Sequence, residues 1–369
     1  MTDSIPNGLK TLRDQLDEVD ARLVELAARR QQLVSEIGRF KQGRGQQLRD
    51  FRREREVLKL VRARAESVDL DPILAETLFR RLIDASLTRQ EQERGRLSGR
   101  GSGHRALIIG GAGRMGAWLA GFLDNQGFDV LLADPRLVDD HGKQFANWHT
   151  APLDVSLIVI AAPLKATASI LDELVQRRVS CLVFEIGSIK TPLIKSLHGA
   201  ASAGLRVCSL HPMFGPDTRL LSGRHVLLMD AGCPEATAEA AELFAETMAE
   251  LVSIPLTEHD RLISLVLGLS HALNIAFFTA LVRSGVSAEQ LSGISSTTFD
   301  RQLTIARDVA GENPALYHEI QHLNEHGHIA RDALHEAIDS LRRAADDPED
   351  SAMREMMEQG RKYLESLAR

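Results

Sequence analysis

The sequence predicts a helical module, then an α/β domain built on a parallel sheet, then a second all-helical part. Three observations carry this. An apolar stripe with alternating three- and four-residue spacing, free of proline, opens the chain. Short apolar runs alternating with helical patterns follow it. From Glu258 to Arg369 the pattern is helical, interrupted near Gly285, Gly311 and Pro314.

The opening stripe is Leu9, Leu12, Leu16, Val19, Leu23, Leu26, Leu33 and Ile37, with Arg30 in the vacant position. It predicts one helix of about thirty residues, packed along its length against other helices. A second helix is expected near Phe51–Ala65 and a third near Pro72–Gln90, with Asp71 as its cap and Pro72 at the first helical position. The stretch QEQERGRLSGRGSGHR, residues 90–105, is rich in Gly, Ser and charge, which favours a flexible connection. Apolar runs at Ala106–Ile109, Val130–Ala133, Leu157–Ala161, Leu182–Ile186 and Val207–Leu210 are the expected strands. The resulting division is a helical domain over 1–92, a linker over 93–105, an α/β domain over 106–257 and a helical domain over 258–369.

A length of 369 residues suits two or three domains, at roughly 100–200 residues each. Cys181, Cys208 and Cys233 show neither metal spacing nor a disulfide framework, so a reducing compartment and no metal are expected. Residues Met1 to Gly8 lack the basic start and apolar stretch of a secretory signal, which predicts a cytoplasmic protein. Leu262–Val282 contains no Asp, Glu, Lys or Arg and nearly reaches the length of a bilayer span. Ser264, Ser270, His271, Asn274 and Thr279 dilute it, favouring a buried helix or a dimer interface over a membrane segment.

Residues 1–105 hold 22 Lys and Arg against 17 Asp and Glu, whereas the remainder holds 22 against 34. A basic third suits nucleic acid, an anionic small molecule or merely solvated helix faces. Arg30 decides against nucleic acid, because a charge in an apolar seam faces inward and needs an anion there, from a neighbouring helix or a ligand. Lys41 lies eleven residues on, within about 20° of the same face and roughly 16 Å along the axis, so both cations can converge. Arg13 is roughly 25 Å away on the same rise. If it also binds substrate, it does so in a second copy's pocket, which predicts a homodimer of interlocked long helices.

The blocks LRDQLDEVDARLVELAARRQQLVSEIGRFK, RDFRRERE and SLTRQ resemble the all-helical chorismate mutase family over residues 9–90. The resemblance implies that Arg13, Arg30 and Arg53 hold the two carboxylates of chorismate, while Lys41 and Gln90 face the ether oxygen whose bond breaks. Asp50, Glu54 and Ser86 also fall on family positions. The implied reaction, chorismate to prephenate, needs conformational restraint and cations where oxygen gains charge, with no covalent step and no metal.

In ALIIGGAGRMG, Gly111, Gly113 and Gly116 form G-x-G-x-x-G after a strand and at a helix start. Glycines there permit a tight turn and close approach of a pyrophosphate to backbone N–H groups. Asp134 ends the next strand and suits ribose hydroxyls, preferring NAD to NADP, although the nearby Arg136 softens that choice; a plain strand-end cap is the other reading. In SLHPMFGPD, His211 sits beside proline at a strand end, held in place and facing a cleft. Its imidazole suits a general base. His149 and His225 are given no role.

GGAGRMG, EIGSIK, SLHPMFGPD and EHD resemble the prephenate dehydrogenase family over about residues 106–330, nearest to the bacterial fused mutase–dehydrogenases. The architecture implied is an all-α mutase module, an α/β Rossmann-type NAD-binding domain and an all-α dimerisation and substrate domain. His211 would take the proton of the C4 hydroxyl while hydride leaves C4 for the nicotinamide and loss of CO₂ makes the ring aromatic. Ser188 would hydrogen-bond the same hydroxyl. Lys190 would serve the cofactor or a substrate carboxylate, or else be an exposed loop lysine. Arg114, Met115 and Pro163 are assigned to the cofactor with the glycines.

Two departures stand out. Asn274 occupies the place in SHALN where many members carry histidine, and Arg307 is one residue out of register before Asn313-Pro314, with Arg301 competing. The expected function is bifunctional, on the route to tyrosine, with prephenate ahead of arogenate or the 4-amino analogue as the ring oxidised. Hydroxy-acid or imino-acid reductases share the glycine fingerprint but not HPMFGPD.

Overall fold

The computed structural model describes residues 7–42, 49–138 and 142–367 and divides into two compact units. The first takes in the N-terminal helices and every strand of the sheet; the second holds the C-terminal helices together with residues 164–173 and 187–200.

Helix α1 (Asn7–Gln42) is longer than its stripe requires. Helix α2 (Phe51–Glu66) starts at Asp50, whose side chain accepts the Arg53 N–H, and α3 (Pro72–Ser98) starts at Asp71, which accepts the Ile73 N–H. Two expectations need correction. Residues 93–98, read as flexible from their Gly, Ser and charge content, continue α3 as helix. The glycine there serves packing: a Cβ on Gly95 would lie 2.6 Å from the Asn125 amide nitrogen, so its absence lets α3 approach the α/β domain. Nor is α1 covered along its length within one chain. Leu12, Leu16, Leu23 and Leu26 are each more than half exposed, Leu33 and Ile37 are exposed as well, and α1 meets α3 through Arg30, Gln31, Val34 and Gly38 near its C-terminal end.

The sheet holds eight strands in the order β3-β2-β1-β4-β5-β6-β7-β8. These are β1 (Arg105–Ile109), β2 (Asp129–Ala133), β3 (Gln144–Phe145), β4 (Leu157–Ile160), β5 (Leu182–Glu185), β6 (Val207–Pro212), β7 (His225–Asp230) and β8 (Glu250–Ser253). Helices α4 (Arg114–Asn125), α5 (Leu164–Gln176), α6 (Ile194–Ser202) and α7 (Pro234–Glu242) connect them. The five expected strands are present and mutually parallel; β6 and β7, however, run antiparallel, so the sheet is mixed. The connection over residues 213–224 forms no helix to carry a crossover, and the chain turns back instead. Ile108, Val159, Phe184 and Cys208 on the strands pack in one core with Leu119 of α4 and Phe244 after α7, on nearly continuous apolar strands as a covered parallel sheet demands.

In the second unit, α8 (Leu256–Ile263), a π-helical turn (Ser264–Leu269) and α9 (Ser270–Arg283) form one apolar rod, followed by α10 (Ala288–Gly293), α11 (Thr297–Ala310), α12 (Pro314–His322), α13 (Gly327–Asp346) and α14 (Ser351–Leu367). By length and composition the rod is long enough to cross a membrane, and only 11% of its most apolar window is buried within one chain.

Asp260 of α8, 2% exposed, ties this unit together. One oxygen accepts the Lys190 N–H at 2.8 Å and faces His259 Nδ1 at 2.6 Å; the other accepts the Thr191 N–H at 2.7 Å and its hydroxyl at 2.5 Å. Burial alone would push its carboxyl up, but these hydrogen bonds outweigh that and hold it below the usual range. A lowered folded-state pKa adds stability that is present above the ordinary carboxylate range and lost as pH falls through the lowered value. Asp260→Asn should therefore cost about 1–3 kcal/mol near neutral pH. Chemical denaturation should show that gap closing as the solution is acidified towards pH ~3; a gap that stays constant would mean the carboxylate's charge is irrelevant.

Candidate functional site

In the helical module the structure brings α1 and α3 together around Arg30. Its guanidinium donates to Ser86 Oγ at 2.9 Å and to the Leu82 carbonyl at 3.0 Å and lies over the Phe79 ring. Among the described residues it has no carboxylate partner, and burial lowers its pKa. Ser86, 4% exposed, also bonds the Leu82 carbonyl and Gln31. One turn further along α3, Gln90 donates to the Val34 carbonyl at 2.8 Å. Its amide fits only because Gly38 faces it: a Cβ there would stand 3.0 Å from Gln90 Nε2.

Lys41 is half-buried at the C-terminal end of α1. The Arg53 N–H is the main cause that holds the exposed Asp50 carboxyl below its usual range, and the charge of Lys41 acts in the same direction. Glu54 forms a two-bond fork with Arg49 at 3.0 Å, Arg53 turns to Glu56 at 3.2 Å, and Arg13 lies exposed near the far end of α1. Arg30, Ser86 and Gln90 thus lie together along the contact of α1 with α3, whereas Arg13 and Arg53 are not brought to it within one chain.

The α/β domain places its glycine-rich turn between β1 and α4. Gly110 has φ +92°, and a Cβ on it would meet the Ala161 carbonyl at 2.4 Å. A Cβ on Gly116 would meet the Gly110 carbonyl at 2.2 Å, so only glycine fits where the helix start crosses the strand end. Gly113 caps α4, whose first residues are Arg114 and Met115; Arg114 pairs with Asp217 at 3.1 Å, and Pro163 is exposed after β4. A tight glycine turn at a helix start suits a dinucleotide pyrophosphate, and the backbone contacts at Gly110 and Gly116 exclude a larger residue there.

Asp134, 6% exposed, is gripped by Arg136 Nε at 2.9 Å and NH2 at 3.0 Å and accepts the Arg136 and Ala112 N–H groups. The Arg136 side chain is the main cause that lowers its pKa. The carboxylate is therefore ionised and oriented beside the glycine turn, with part of its charge offset by the arginine.

His211 lies on β6 opposite Leu227 of β7 and is only 4% exposed, so it is enclosed rather than open as expected. The antiparallel β7, absent from the sequence reading, covers that edge. Beside it, fully buried Ser209 donates to the carboxylate of fully buried Glu185.

Ser188 and Lys190 belong to the second unit. Ser188 is half-buried, and Lys190 is fully buried, which overturns the reading of an exposed loop lysine. Asp260 draws the 190–191 backbone inward. Asn274 accepts from Gln302 at 2.9 Å and donates to the Ser270 carbonyl, with His271 Nδ1 of the same helix buried without a partner among the described residues. Arg307 and Arg301 are exposed on α11. A cleft of about 960 Å³ along α9 is lined instead by Arg283 and Arg331. Glu185 and Asp260 were present in the motifs EIGSIK and EHD without being singled out; Arg331 stands in no motif, and only packing finds it.

Three family models match the chain. Residues 12–91 match the family model for chorismate mutase type II, residues 123–253 that for the nucleotide-binding domain of prephenate dehydrogenase, and residues 255–359 that for its dimerization domain. The T-protein of Enterobacter agglomerans is 28% identical over 312 residues, covering 85% of this chain and 81% of the relative. That of Haemophilus influenzae is 26% identical over 322 residues, covering 86% and 82%. A prephenate dehydrogenase from A. aeolicus, solved with hydroxyphenyl propionate and NAD+, shares the fold at 19% identity and a TM-score of 0.56, over 72% of this chain and 96% of that one. With a mutase domain ahead of both dehydrogenase domains in a single chain, the protein belongs to the family of fused chorismate mutase–prephenate dehydrogenases.

Proposed function

We propose that the chain rearranges chorismate to prephenate in the α1–α3 groove and then oxidises and decarboxylates prephenate to 4-hydroxyphenylpyruvate with NAD, on the route to tyrosine. The observation that carries the first half is Arg30, a partly buried guanidinium with no carboxylate beside it among the described residues. Such a charge is costly until an anion arrives, and a substrate carboxylate is that anion. Lys41 and Gln90 donate to the ether oxygen as its bond breaks, where fixed donors are worth most because they need no reorganisation. Arg13, Arg53, Asp50, Glu54 and Ser86 complete the set, with Arg13 reaching the pocket of a second copy.

For the second reaction, Gly111, Gly113, Gly116, Arg114, Met115 and Pro163 hold the dinucleotide and Asp134 binds its ribose. NAD, when bound, accepts the hydride from the ring carbon. His211 takes the hydroxyl proton, and enclosure keeps water from competing for it. Ser188, Lys190 and Arg307 are assigned to the substrate. Prephenate is preferred to arogenate or the 4-amino analogue because a mutase in the same chain supplies it.

The uncovered stripe of α1 and the apolar rod α8–α9 support a homodimer, since a soluble chain leaves contiguous apolar faces of this length only where a partner covers them. No nucleic-acid or membrane partner is proposed, and no metal. Burial of Cys181, whose thiol is pushed up to about 11, and of Cys208 suits a reducing cytoplasm.

Lys41→Ala should lower chorismate turnover by about a hundredfold or more, on the scale of a lost oxyanion donor, while supplied prephenate is oxidised at near the normal rate. Loss of both activities with an intact fold would refute separate pockets. His211→Asn should cut NADH formation from prephenate by roughly 10²–10⁴ and spare the mutase; unaltered NADH formation would remove His211 as the base. The double variant Leu16→Glu, Leu23→Glu should halve the mass seen by light scattering, whereas a particle of unchanged mass would put the interface elsewhere.

A further inference from the structure

Glu91 follows Gln90 on α3 and points away from the groove, into the α/β domain. Glu91 is 7% exposed and its carboxylate is met by no cation among the described residues: Oε2 accepts the Leu221 N–H at 2.9 Å and Oε1 accepts the Met248 N–H at 2.6 Å. The two donors come from different segments, one between β6 and β7 and the other between α7 and β8. Side chains of the same segments enter the helical module, where Leu220 and Met248 pack against Leu58, Ile83 and Leu87. Arg49, forked on Glu54, donates to Ser222 Oγ at 2.6 Å. The core of the first domain is thus completed by the second, and a buried carboxylate sits at the junction. Burial pushes the Glu91 carboxyl up, and the two backbone donors act against that. A group so costly to bury is retained only if its bonds are made.

We propose that Glu91 is a positioning residue for the mutase pocket: the Leu221 and Met248 N–H groups fix its carboxylate and, through the shared turn of α3, set the depth at which Gln90 enters the groove. The proposal rests on the reading that Gln90 faces the breaking ether bond. The groove has little slack. Gln90 stands where a single Cβ on Gly38 would crowd its amide at 3.0–3.2 Å, so a small rotation of α3 moves the amide off its place. Misplacement of a donor by about 1 Å can cost on the order of a hundredfold. The nucleotide-binding domain is then a structural part of the mutase, and its fold tunes a reaction that uses no nucleotide.

The experiment measures chorismate turnover by the full-length chain carrying Glu91→Ala, Glu91→Gln or Gln90→Ala. Glu91→Ala should lower kcat ten- to a hundredfold with KM changed less than threefold, because carboxylate binding at Arg30 is untouched. Glu91→Gln keeps one acceptor and turns its amide N–H groups towards a backbone donor, so its kcat should fall between those of the wild type and Glu91→Ala. If Glu91→Ala fails to fold, the Gln variant carries the test. A kcat within twofold of wild type in Glu91→Gln and in any folded Glu91→Ala, even with a lowered Tm, would overturn the proposal and leave Glu91 a staple. If Gln90→Ala itself turns over chorismate normally, the reading of the groove fails and the proposal with it; normal turnover by folded Glu91 variants beside a dead Gln90→Ala sinks the proposal alone.

Discussion

A charge placed inside a protein must be met there, and the arrangement of this chain follows from how each buried charge is met. Asp260 is met by backbone and hydroxyl donors within its own unit, Glu91 by two backbone donors of the neighbouring domain, and Asp134 by an arginine two residues on. Arg30 differs, because only neutral oxygens reach it among the described residues. The satisfied charges fix geometry. Arg30 has hydrogen bonds but no opposite charge among the described residues, and the proposed mutase reading gives that role to a substrate carboxylate.

The two chemistries of the family ask different things of the same chain. A rearrangement without covalent steps needs a rigid groove with donors in fixed positions, and two helices meeting at Gly38 and Gln90 give that rigidity at close range. Oxidation with NAD needs a turn tight enough for backbone to approach a pyrophosphate, and the Gly110–Gly116 contact sets that turn. The helical module and the α/β domain share the cluster of Leu58, Ile83 and Leu87 with Leu220 and Met248, so the fusion is a packed core and not merely a covalent tether.

Much of this was legible before the structure. The three-four spacing of α1, the caps Asp71 and Pro72, the five parallel strands and the glycine turn are local patterns, and local patterns are written in consecutive residues. The errors share a cause. Residues 93–98 look like a linker because of Gly95, Ser98 and the charge around them, yet Glu93, Arg94, Arg96 and Leu97 are good helix formers, and α3 continues through Gly95 where the α/β domain packs closely on it. Lys190 looks exposed by composition, yet a carboxylate seventy residues away draws its backbone inward. The return strand β7 was missed.

Residue identity and spacing by themselves determined the order of the three domains, the inward-facing Arg30, the glycine fingerprint with its acidic partner, and the motif around His211, because each depends on neighbours within a helix turn or a strand. Tertiary structure alone decided which charges are answered and by whom: Glu91 by another domain, Asp260 by a distant loop, Arg30 by no carboxylate among the described residues. Those outcomes depend on distances between segments far apart in the chain, and burial, which sets the cost of every one of them, exists only once the segments have packed.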